Sequence, residues 1–474
     1  MRLPLLLGLA AGLGACSESA PQPAADAAAA IPVRRVILIT CDTLRPDHLG
    51  VYGYARDTSP ELDRFARESV VFETAYSTAP ATNPSLSSLF TGRLAQEIGV
   101  TEGNLRYLPE QAVTLAEVLR AAGIDTAAVV SNWVLRRVPE QGDVGVQQGF
   151  DAFDDDMEQR ELNREAFFER RAPATTRAAI VWLEGRKARA DAPFFLWVHY
   201  QDPHGPYVPP AELAAWGAPA GPPHPPLPVG AGNRGEGEIP AYQVLGDERS
   251  PDVYVDRYDG EIRYFDAALG ELLDWLREAG LFADSLIVFT ADHGESLGEH
   301  DRWFCHGDGL SRELVAVPFL VHYPPGVARP PAARVHEGVG HLDVWPTVLE
   351  AFGLPPQPGR GRSLLTDRLD ESRVLPQVMI QGGTVRQQAM RYGRYRLITG
   401  TRRPRVFDVV DDPGELRDLA REQPELLRRL TAAREAFLAD APAPVLAPGP
   451  RATLDAEERQ ALTGLGYLEG AADE

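Results

Sequence analysis

The chain has 474 residues, of which 44% are hydrophobic, 24% charged and 8% aromatic. This ordinary globular composition excludes wholesale disorder, a collagen-like repeat and a small disulfide-stapled fold. The 68 acidic residues outnumber the 47 basic ones, and the net charge of −21 argues against nucleic-acid binding because an acidic surface repels phosphate backbones. Lys187 is the only lysine, so any mechanism that needs a lysine would have to use it.

Residues 1–15 predict an export signal that ends at a lipid-attachment site. An apolar run over residues 3–13 is too short to span a bilayer and leads into Gly-Ala-Cys, with the cysteine at Cys16. This ending resembles the bacterial lipobox, whose cysteine is acylated and becomes the new N-terminus; the alternative is an ordinary secretory peptide with an incidental cysteine. Residues 16–32 are rich in Ala and Pro and predict a flexible tether.

The export signal bears on location and on the remaining cysteines. Ser17 follows the lipobox cysteine, where an aspartate would resemble an inner-membrane retention signal. We therefore expect an exported lipoprotein that is anchored in the outer membrane and faces the periplasm or the cell surface. Cys41 and Cys305 could be paired in such a compartment, although free buried thiols are the default for two cysteines.

Strands and helices alternate along the chain after residue 33. Continuous apolar and β-branched runs predict buried strands over 34–41, 125–131, 194–199, 285–290 and 317–323. Capping residues, prolines and glycines predict helices over 60–69, 84–91, 115–122 and 253–280. This alternation is typical of an α/β fold, and we predict a three-layer α/β/α sandwich with a mostly parallel central sheet.

The pattern changes twice. Residues 203–251 are rich in Pro and Gly, lack periodicity and follow a candidate site loop, so we interpret them as an insertion beside the site. Residues 33–365 otherwise form one predicted domain. After it come predicted strands and a charged helix, which indicate a small C-terminal α+β subdomain over 366–440, followed by a tail over 441–474. The strands are predicted over 388–399 and 405–410, and the helix over 413–438.

Acidic and histidine residues gather where predicted strands end. They are Asp42, the segments 202–204 and 292–293, and His306 shortly afterwards. Ligand groups in open α/β sheets lie beyond the carboxyl ends of the strands, and carboxylates with imidazoles suit a divalent cation. Each residue alone has an ordinary structural interpretation, as a helix-capping Asp or a hydrogen-bonded His. Their coincidence in one α/β chain favours a metal site.

Thr82 precedes the Asn83-Pro84 pair that is predicted to cap and begin a helix ending near Thr91. The positive end of the helix dipole would favour an oxyanion there, and a threonine alkoxide bound to a metal would be an activated nucleophile. The alternative is that Thr82 and Ser85 are simply capping hydroxyls.

Segments spread along the chain resemble, in order, the sulfatase family of the alkaline phosphatase superfamily. The matching segments are 36–53, 84–93, 114–123, 194–209, 258–270, 287–306, 341–347, 359–364 and 405–419. The resemblance implies that residues 33–365 are a catalytic domain, in which Asp42, Asp292 and His293 bind one metal ion. It also implies that Thr82 is the nucleophile and an additional metal ligand.

The same resemblance assigns the remaining site residues. His204 and His306 match positions that contact sulfuryl or phosphoryl oxygens and can protonate the leaving group. The insertion and the loop at Asn104 are expected to select the substrate, a small-molecule, lipid or glycan ester. Asp259 and Glu261 are assigned to the helix framework.

Several residues depart from the family pattern. Thr82 stands where typical sulfatases have the Cys or Ser that becomes formylglycine, and Leu86 replaces the arginine that follows it. Thr43 replaces a second aspartate found in many relatives. His293 replaces the asparagine of calcium-type sulfatases, which favours Mn²⁺ or Zn²⁺ while leaving Ca²⁺ open. The family's lysine on the ester oxygens is missing, with His306 in its place.

Three functions are consistent with these residues. The first is a metal-dependent hydrolase of sulfate or phosphate esters, in which Thr82 attacks and His306 or His204 is the general acid. The second is a transferase that moves a phosphoryl-linked headgroup onto an acceptor. The third is a non-catalytic surface-binding protein on a sulfatase scaffold, which the intact set of site residues disfavours. We favour the hydrolase because no multi-helix membrane domain precedes the catalytic region.

Overall fold

The structure is a computed structural model. It describes residues 33–137, 144–189, 191–213, 216–217, 223–232, 234–367 and 369–453. The predicted signal peptide, Cys16 and the tether over 16–32 lie outside the described residues. Among the helices that are described, we find none with the length and apolar character needed to cross a bilayer.

An eight-stranded sheet forms the centre of the protein. Its strands, in spatial order, are β13 (Arg334–Val335), β2 (Val70–Phe72), β12 (Phe319–His322), β9 (Ser285–Ala291), β1 (Arg35–Cys41), β8 (Phe194–Tyr200), β4 (Asp125–Val130) and β5 (Ala152–Asp154). Every pair of neighbours is parallel except the two that involve β12. The prediction of a mostly parallel sheet is therefore confirmed.

Helices cover both faces of this sheet. In chain order, the α-helices of the described residues are α1 (Pro60–Ala66), α2 (Thr82–Thr91), α3 (Leu115–Ala121), α4 (Ala172–Gly185), α5 (Pro251–Glu278), α6 (Arg312–Val315), α7 (Val344–Ala351) and α8 (Pro424–Ala439). Of these, α8 packs against C-terminal strands instead. Helix α5 contacts both α1 and α4, and α2, α3 and α7 contact one another. Strands β8 and β9 are buried along their whole length, which requires a helical layer on each face.

The remaining strands form four further small sheets. These strands are β3 (Ala75–Tyr76) with β14 (Val339–Gly340), β6 (Gln159–Glu161) with β7 (Arg164–Glu169), β10 (Ser296–Leu297) with β11 (Trp303–Cys305), and the antiparallel set β15 (Val374–Gln381), β16 (Thr384–Tyr392), β17 (Tyr395–Thr399) and β18 (Arg405–Asp408). The last set is the small C-terminal sheet, and Leu426 and Leu430 of α8 pack against its apolar face.

Two C-terminal elements differ from the prediction. The predicted strand over 388–399 is a hairpin, because Gly393 adopts a left-handed conformation with φ of 59° and reverses the chain. The charged helix predicted from residue 413 begins only at Pro424. Its first residues form a turn instead, since the Asp412 carboxylate accepts hydrogen bonds from the backbone N–H groups of Leu416 and Arg417.

The described part of the predicted tail is packed against the main domain. Residues 444–452, here called the C-terminal strap, run along the segment 97–107. Backbone N–H groups of Leu446 and Gly449 donate to the carbonyls of Glu97 and Gly99, at 2.9 Å each. The strap therefore supports the loop that carries Asn104.

Part of the predicted insertion packs alongside the segment that leads into β11. Residues 234–237 run antiparallel to residues 301–303, with Trp303 N–H donating to the Gly235 carbonyl at 2.9 Å. Both remaining cysteines, Cys41 and Cys305, are buried free thiols.

Candidate active site

Three metal-ligating side chains meet at the carboxyl ends of the central strands. Asp42 directly follows β1, Asp292 directly follows β9, and His199 is the last residue but one of β8. Because β1 lies between β8 and β9 in parallel register, the three residues reach the same edge of the sheet. Their side chains are fully buried, and one ligand atom from each lies within 4.8 Å of the others.

The inward-facing atoms of this group lack hydrogen-bond partners among the described residues. They are Asp42 Oδ1, Asp292 Oδ2 and His199 Nε2. A buried polar atom without a partner costs about 1–3 kcal/mol, and two facing carboxylates also repel each other. A divalent cation would satisfy all three atoms at once, so the donor set fits a metal ion.

The outward-facing atoms of the same side chains are held by hydrogen bonds. Asn132 Nδ2 donates to Asp42 Oδ2, while the backbone N–H groups of Thr43 and His293 donate to Asp292 Oδ1 at 3.2 and 2.7 Å. His199 Nδ1 lies 2.8 Å from Thr40 Oγ1. These contacts fix the orientation of each ligand, as is usual around metal sites.

The two carboxyl groups have opposite pKa shifts. Burial raises the pKa of Asp42, but the neighbouring imidazoles of His204, His199 and His293 outweigh burial and hold the pKa below its usual range. Burial, reinforced by the charge of Asp42, raises the pKa of Asp292. Two ionised carboxylates in this buried site repel each other, and a bound cation would offset that repulsion.

Thr82 lies at the first residue of α2, next to this group. The structure has Ala81 as the N-cap and starts α2 at Thr82, slightly earlier than the predicted start at Asn83-Pro84. Thr82 Oγ1 is 3.4 Å from His293 Nε2. His293 Nδ1 is 2.9 Å from the Gly294 carbonyl, which can only accept, so Nδ1 carries the proton. The other ring nitrogen, Nε2, faces Thr82 and lies 3.5 Å from Asp292 Oδ2.

The N-terminal turn of α2 is anchored on two sides. Asn83 N–H donates to Asn104 Oδ1 at 2.9 Å, so Asn104 lies against the turn that carries Thr82. Its predicted role in substrate binding stays a prediction. Ser85 Oγ lies 2.7 Å from the Asp292 carbonyl and 2.9 Å from His341 Nδ1. Ser85 therefore ties α2 to the residue that follows β9 rather than serving only as a capping hydroxyl.

His204 and His306 flank the same space, and their ring centroids are 5.1 Å apart. The His306 ring is also 4.6 Å from that of His293, and its Nδ1 lies 3.3 Å from Glu295 Oε1. Burial lowers the pKa of His306, but the Glu295 carboxylate outweighs burial and the net shift is upward. Burial lowers the pKa of His204 to about 3. His306 is therefore the better proton donor of the two.

Two residues that contact or join the candidate metal-ligating group were not predicted, although both lie at the carboxyl ends of predicted strands, where ligand groups are expected. His199 ends the predicted strand 194–199, and Asn132 follows the predicted strand 125–131. Glu295 gives no comparable signal, because its role depends on contact with His306. Asp202, in contrast, binds to the start of α4. It accepts from the N–H of Ala172 at 2.7 Å and pairs with Arg171 at 2.9 Å, which is an ordinary structural role for an aspartate.

Comparisons with known proteins agree with this arrangement. The sequence profile of the sulfatase family matches residues 34–354. The ulvan-active sulfatase of Formosa agariphila is 25% identical over 420 residues, covering 81% of this chain and 76% of its own length. Arylsulfatase A of Homo sapiens is 25% identical and covers 90% of this chain and 89% of its own.

Solved structures share the fold. The phosphonate monoester hydrolase of Agrobacterium radiobacter has a TM-score of 0.67 at 19% identity, covering 86% of this chain and 96% of its own. The family profile spans most of the described residues and includes the strand ends that carry Asp42 and Asp292. This protein therefore belongs to the sulfatase family of ester hydrolases, within the alkaline phosphatase superfamily.

Proposed function

We propose that the protein is a metal-dependent hydrolase of sulfate or phosphate esters in which Thr82 is the nucleophile. The observation that carries this proposal is the position of the Thr82 hydroxyl, buried at the start of α2 and 3.4 Å from His293 Nε2. The unsatisfied atoms of Asp42 and Asp292 lie 3.8 and 3.5 Å from the same Nε2 atom.

Asp42, Asp292 and His293 would hold the metal ion, with Thr82 as an additional ligand and His199 as a further donor. When bound, a divalent cation supplies positive charge that stabilises the equatorial oxygens of the ester. The imidazole donors favour Mn²⁺ or Zn²⁺ over Ca²⁺, whose usual ligands are oxygen atoms.

The side chains of the protein divide the remaining tasks. The N-terminal turn of α2 presents the positive end of its dipole to Thr82 and stabilises negative charge on its oxygen. His306 donates through Nδ1 to Glu295, so its charged ring offers the Nε2 proton to the departing oxygen. His204 flanks the same space and contacts the ester oxygens.

The identity of the nucleophile bears on the substrate. The threonine hydroxyl is a secondary alcohol and cannot be oxidised to the aldehyde that formylglycine sulfatases use. Thr82 instead forms a covalent ester that water must cleave at sulfur or phosphorus. This route suits phosphorus esters, and the fold shared with a phosphonate monoester hydrolase supports them. The similarity to an ulvan-active sulfatase supports sulfated glycans as the second class.

The test compares Thr82→Ala and Thr82→Ser on aryl sulfates, phosphate mono- and diesters, and phosphonate monoesters. We expect Thr82→Ala to lower kcat by several orders of magnitude and Thr82→Ser to retain part of the activity. Phosphodiester or phosphonate turnover should match or exceed aryl sulfate turnover. Mass spectrometry of the wild-type peptide should show an unmodified threonine.

Thr91→Ala is the matched control, since Thr91 ends the same helix and its hydroxyl only bonds to the Ser87 carbonyl. Its kcat should stay near that of the wild type. Wild-type turnover of every substrate by Thr82→Ala would overturn the assignment of the nucleophile.

A further inference from the structure

An arginine of the insertion lies at a cleft next to the active site. The cleft is lined by Ala81 and Pro84 at the start of α2, by His306, and by Arg234. Its far wall comes from residues 378–382, at the turn between β15 and β16. A substrate whose ester group reaches Thr82 and His306 would extend into this cleft.

Backbone contacts fix the position of Arg234. Its carbonyl accepts a hydrogen bond from Cys305 Sγ at 3.1 Å, and Cys305 directly precedes His306. Gly235 adopts a left-handed conformation with φ of 64°, and a Cβ there would lie 2.2 Å from the Trp303 carbonyl oxygen. Only glycine allows this close approach, which brings Arg234 next to the strand that leads into the active site.

Arg234 differs from the acidic residues that line the cleft, because each of those is paired with an arginine. Glu102 pairs with Arg106 at 2.6 Å and with Arg451 at 2.8 Å. Asp308, the other lining acid, pairs with Arg302 at 3.1 Å. Arg234 is an exposed residue, and no ion pair joins it to an acidic side chain within the described part of the chain. The cleft therefore presents a net positive group in a protein whose overall charge is −21.

We propose that Arg234 is a specificity residue that binds a second anionic group on the substrate. This inference rests on the proposed function and narrows its substrate class to esters with a further carboxylate or sulfate, such as a uronate-containing or multiply sulfated glycan fragment. The planar guanidinium fork matches both groups, because each offers a pair of oxygens for two parallel hydrogen bonds.

The experiment measures discrimination between matched esters. The first pair is 4-nitrophenyl sulfate or phosphate, whichever the wild type cleaves faster, and the same ester with a 3-carboxylate. The second pair is N-acetyl-D-glucosamine 6-O-sulfate and D-glucosamine 2-N,6-O-disulfate. We expect Arg234→Gln to lower the ratio of kcat/KM for the ester with the second anionic group to kcat/KM for the ester without it by about tenfold in one or both pairs, mainly through KM. Turnover of the ester without the second anionic group should change less than about twofold.

Arg421→Gln is the matched control, an exposed arginine of the C-terminal subdomain outside the cleft, and it should leave both ratios unchanged. A reduced ratio in the first pair alone assigns a carboxylate, and in the second pair alone a sulfate. Unchanged ratios in both pairs with Arg234→Gln would overturn the inference while leaving the proposed function intact. Failure of the wild type to hydrolyse any of these esters would instead count against the proposed function, and the inference would fall with it.

Discussion

Asp42 and Asp292 bring two acidic groups face to face in a fully buried position. We expect Asp292→Ala to abolish stoichiometric binding of a divalent metal, because it removes one of the two carboxylates that neutralise the cation. His199→Gln should weaken binding by about tenfold to a hundredfold, in the range seen for groups that support metal sites. Elemental analysis of the purified protein measures both effects.

Asp274→Ala is the control for this measurement, since Asp274 lies on the outer part of α5 and is about half exposed. It should keep full metal content. Full metal occupancy in Asp292→Ala would show that the metal is held elsewhere.

His306 and Glu295 should set the alkaline limit of activity. The general acid must carry a proton, so kcat/KM falls as the pH rises through the pKa of His306. The Glu295 carboxylate raises this pKa, and Glu295→Gln should therefore move the decline to lower pH. The pH profile of kcat/KM, recorded with a slow leaving group such as an alkyl ester, measures this shift.

A 4-nitrophenyl ester serves as the comparison, because its leaving group needs little protonation. The shift should be much smaller for that ester. If the alkaline decline of kcat/KM in Glu295→Gln stays at the wild-type pH with both esters, His306 is not the general acid.

At the level of single elements, the conformation of Gly235 is expected to control the specificity proposed for Arg234. Gly235→Ala should displace residues 234–237 from their place along β11, because its Cβ would collide with the Trp303 carbonyl. We expect it to reduce discrimination between singly and doubly charged esters as much as Arg234→Gln does.

Gly246→Ala is the control that distinguishes the steric clash at residue 235 from the strain of a left-handed backbone. Gly246 lies in the same insertion with φ of 57°, and a Cβ there would meet nothing within 4 Å. Both alanines therefore carry a left-handed strain of about 1 kcal/mol, but only Gly235→Ala adds a clash. Equal effects of the two substitutions on ester discrimination would argue against the proposed packing.

The sequence allowed the central strands to be predicted because their apolar runs are continuous and end in polar site residues. Thus β1, β8 and β9 were expected within a residue of their observed bounds, and with them Asp42 and Asp292. The turns were harder. The reversal at Gly393 looks like an ordinary strand interruption, and the 413–423 segment has a helical composition that the Asp412 carboxylate overrides.

Contacts between distant segments could not be read from local patterns. The C-terminal strap was expected to be a tail, because nothing in residues 444–452 shows that their backbone groups pair with residues 97–107. His199 was assigned to a strand, and its contact with Asp42 depends on the register between β1 and β8. Register is a property of the folded sheet, which explains why the site was predicted only in part.

For the whole molecule, we expect attachment to a membrane through Cys16. Two or more acyl chains on this cysteine would anchor the protein stably, so Cys16→Ser should release soluble protein or leave the precursor unprocessed. Fractionation of cells that express the full chain measures this effect, with Cys305→Ser as the control that should stay in the membrane fraction. Equal membrane retention of Cys16→Ser and the wild type would contradict the predicted lipidation.

The central position of β1 has a consequence for the order of events during synthesis. Arg35 of β1 pairs with Phe194 on one side and with Ser285 on the other. A growing polypeptide therefore carries Asp42 on a strand that has no neighbour until β8 emerges, and only one until β9 follows. The edge of the sheet that carries Asp42, His199 and Asp292 therefore cannot be completed until residues 285–292 have been synthesised, because Asp292 follows the last of these three strands.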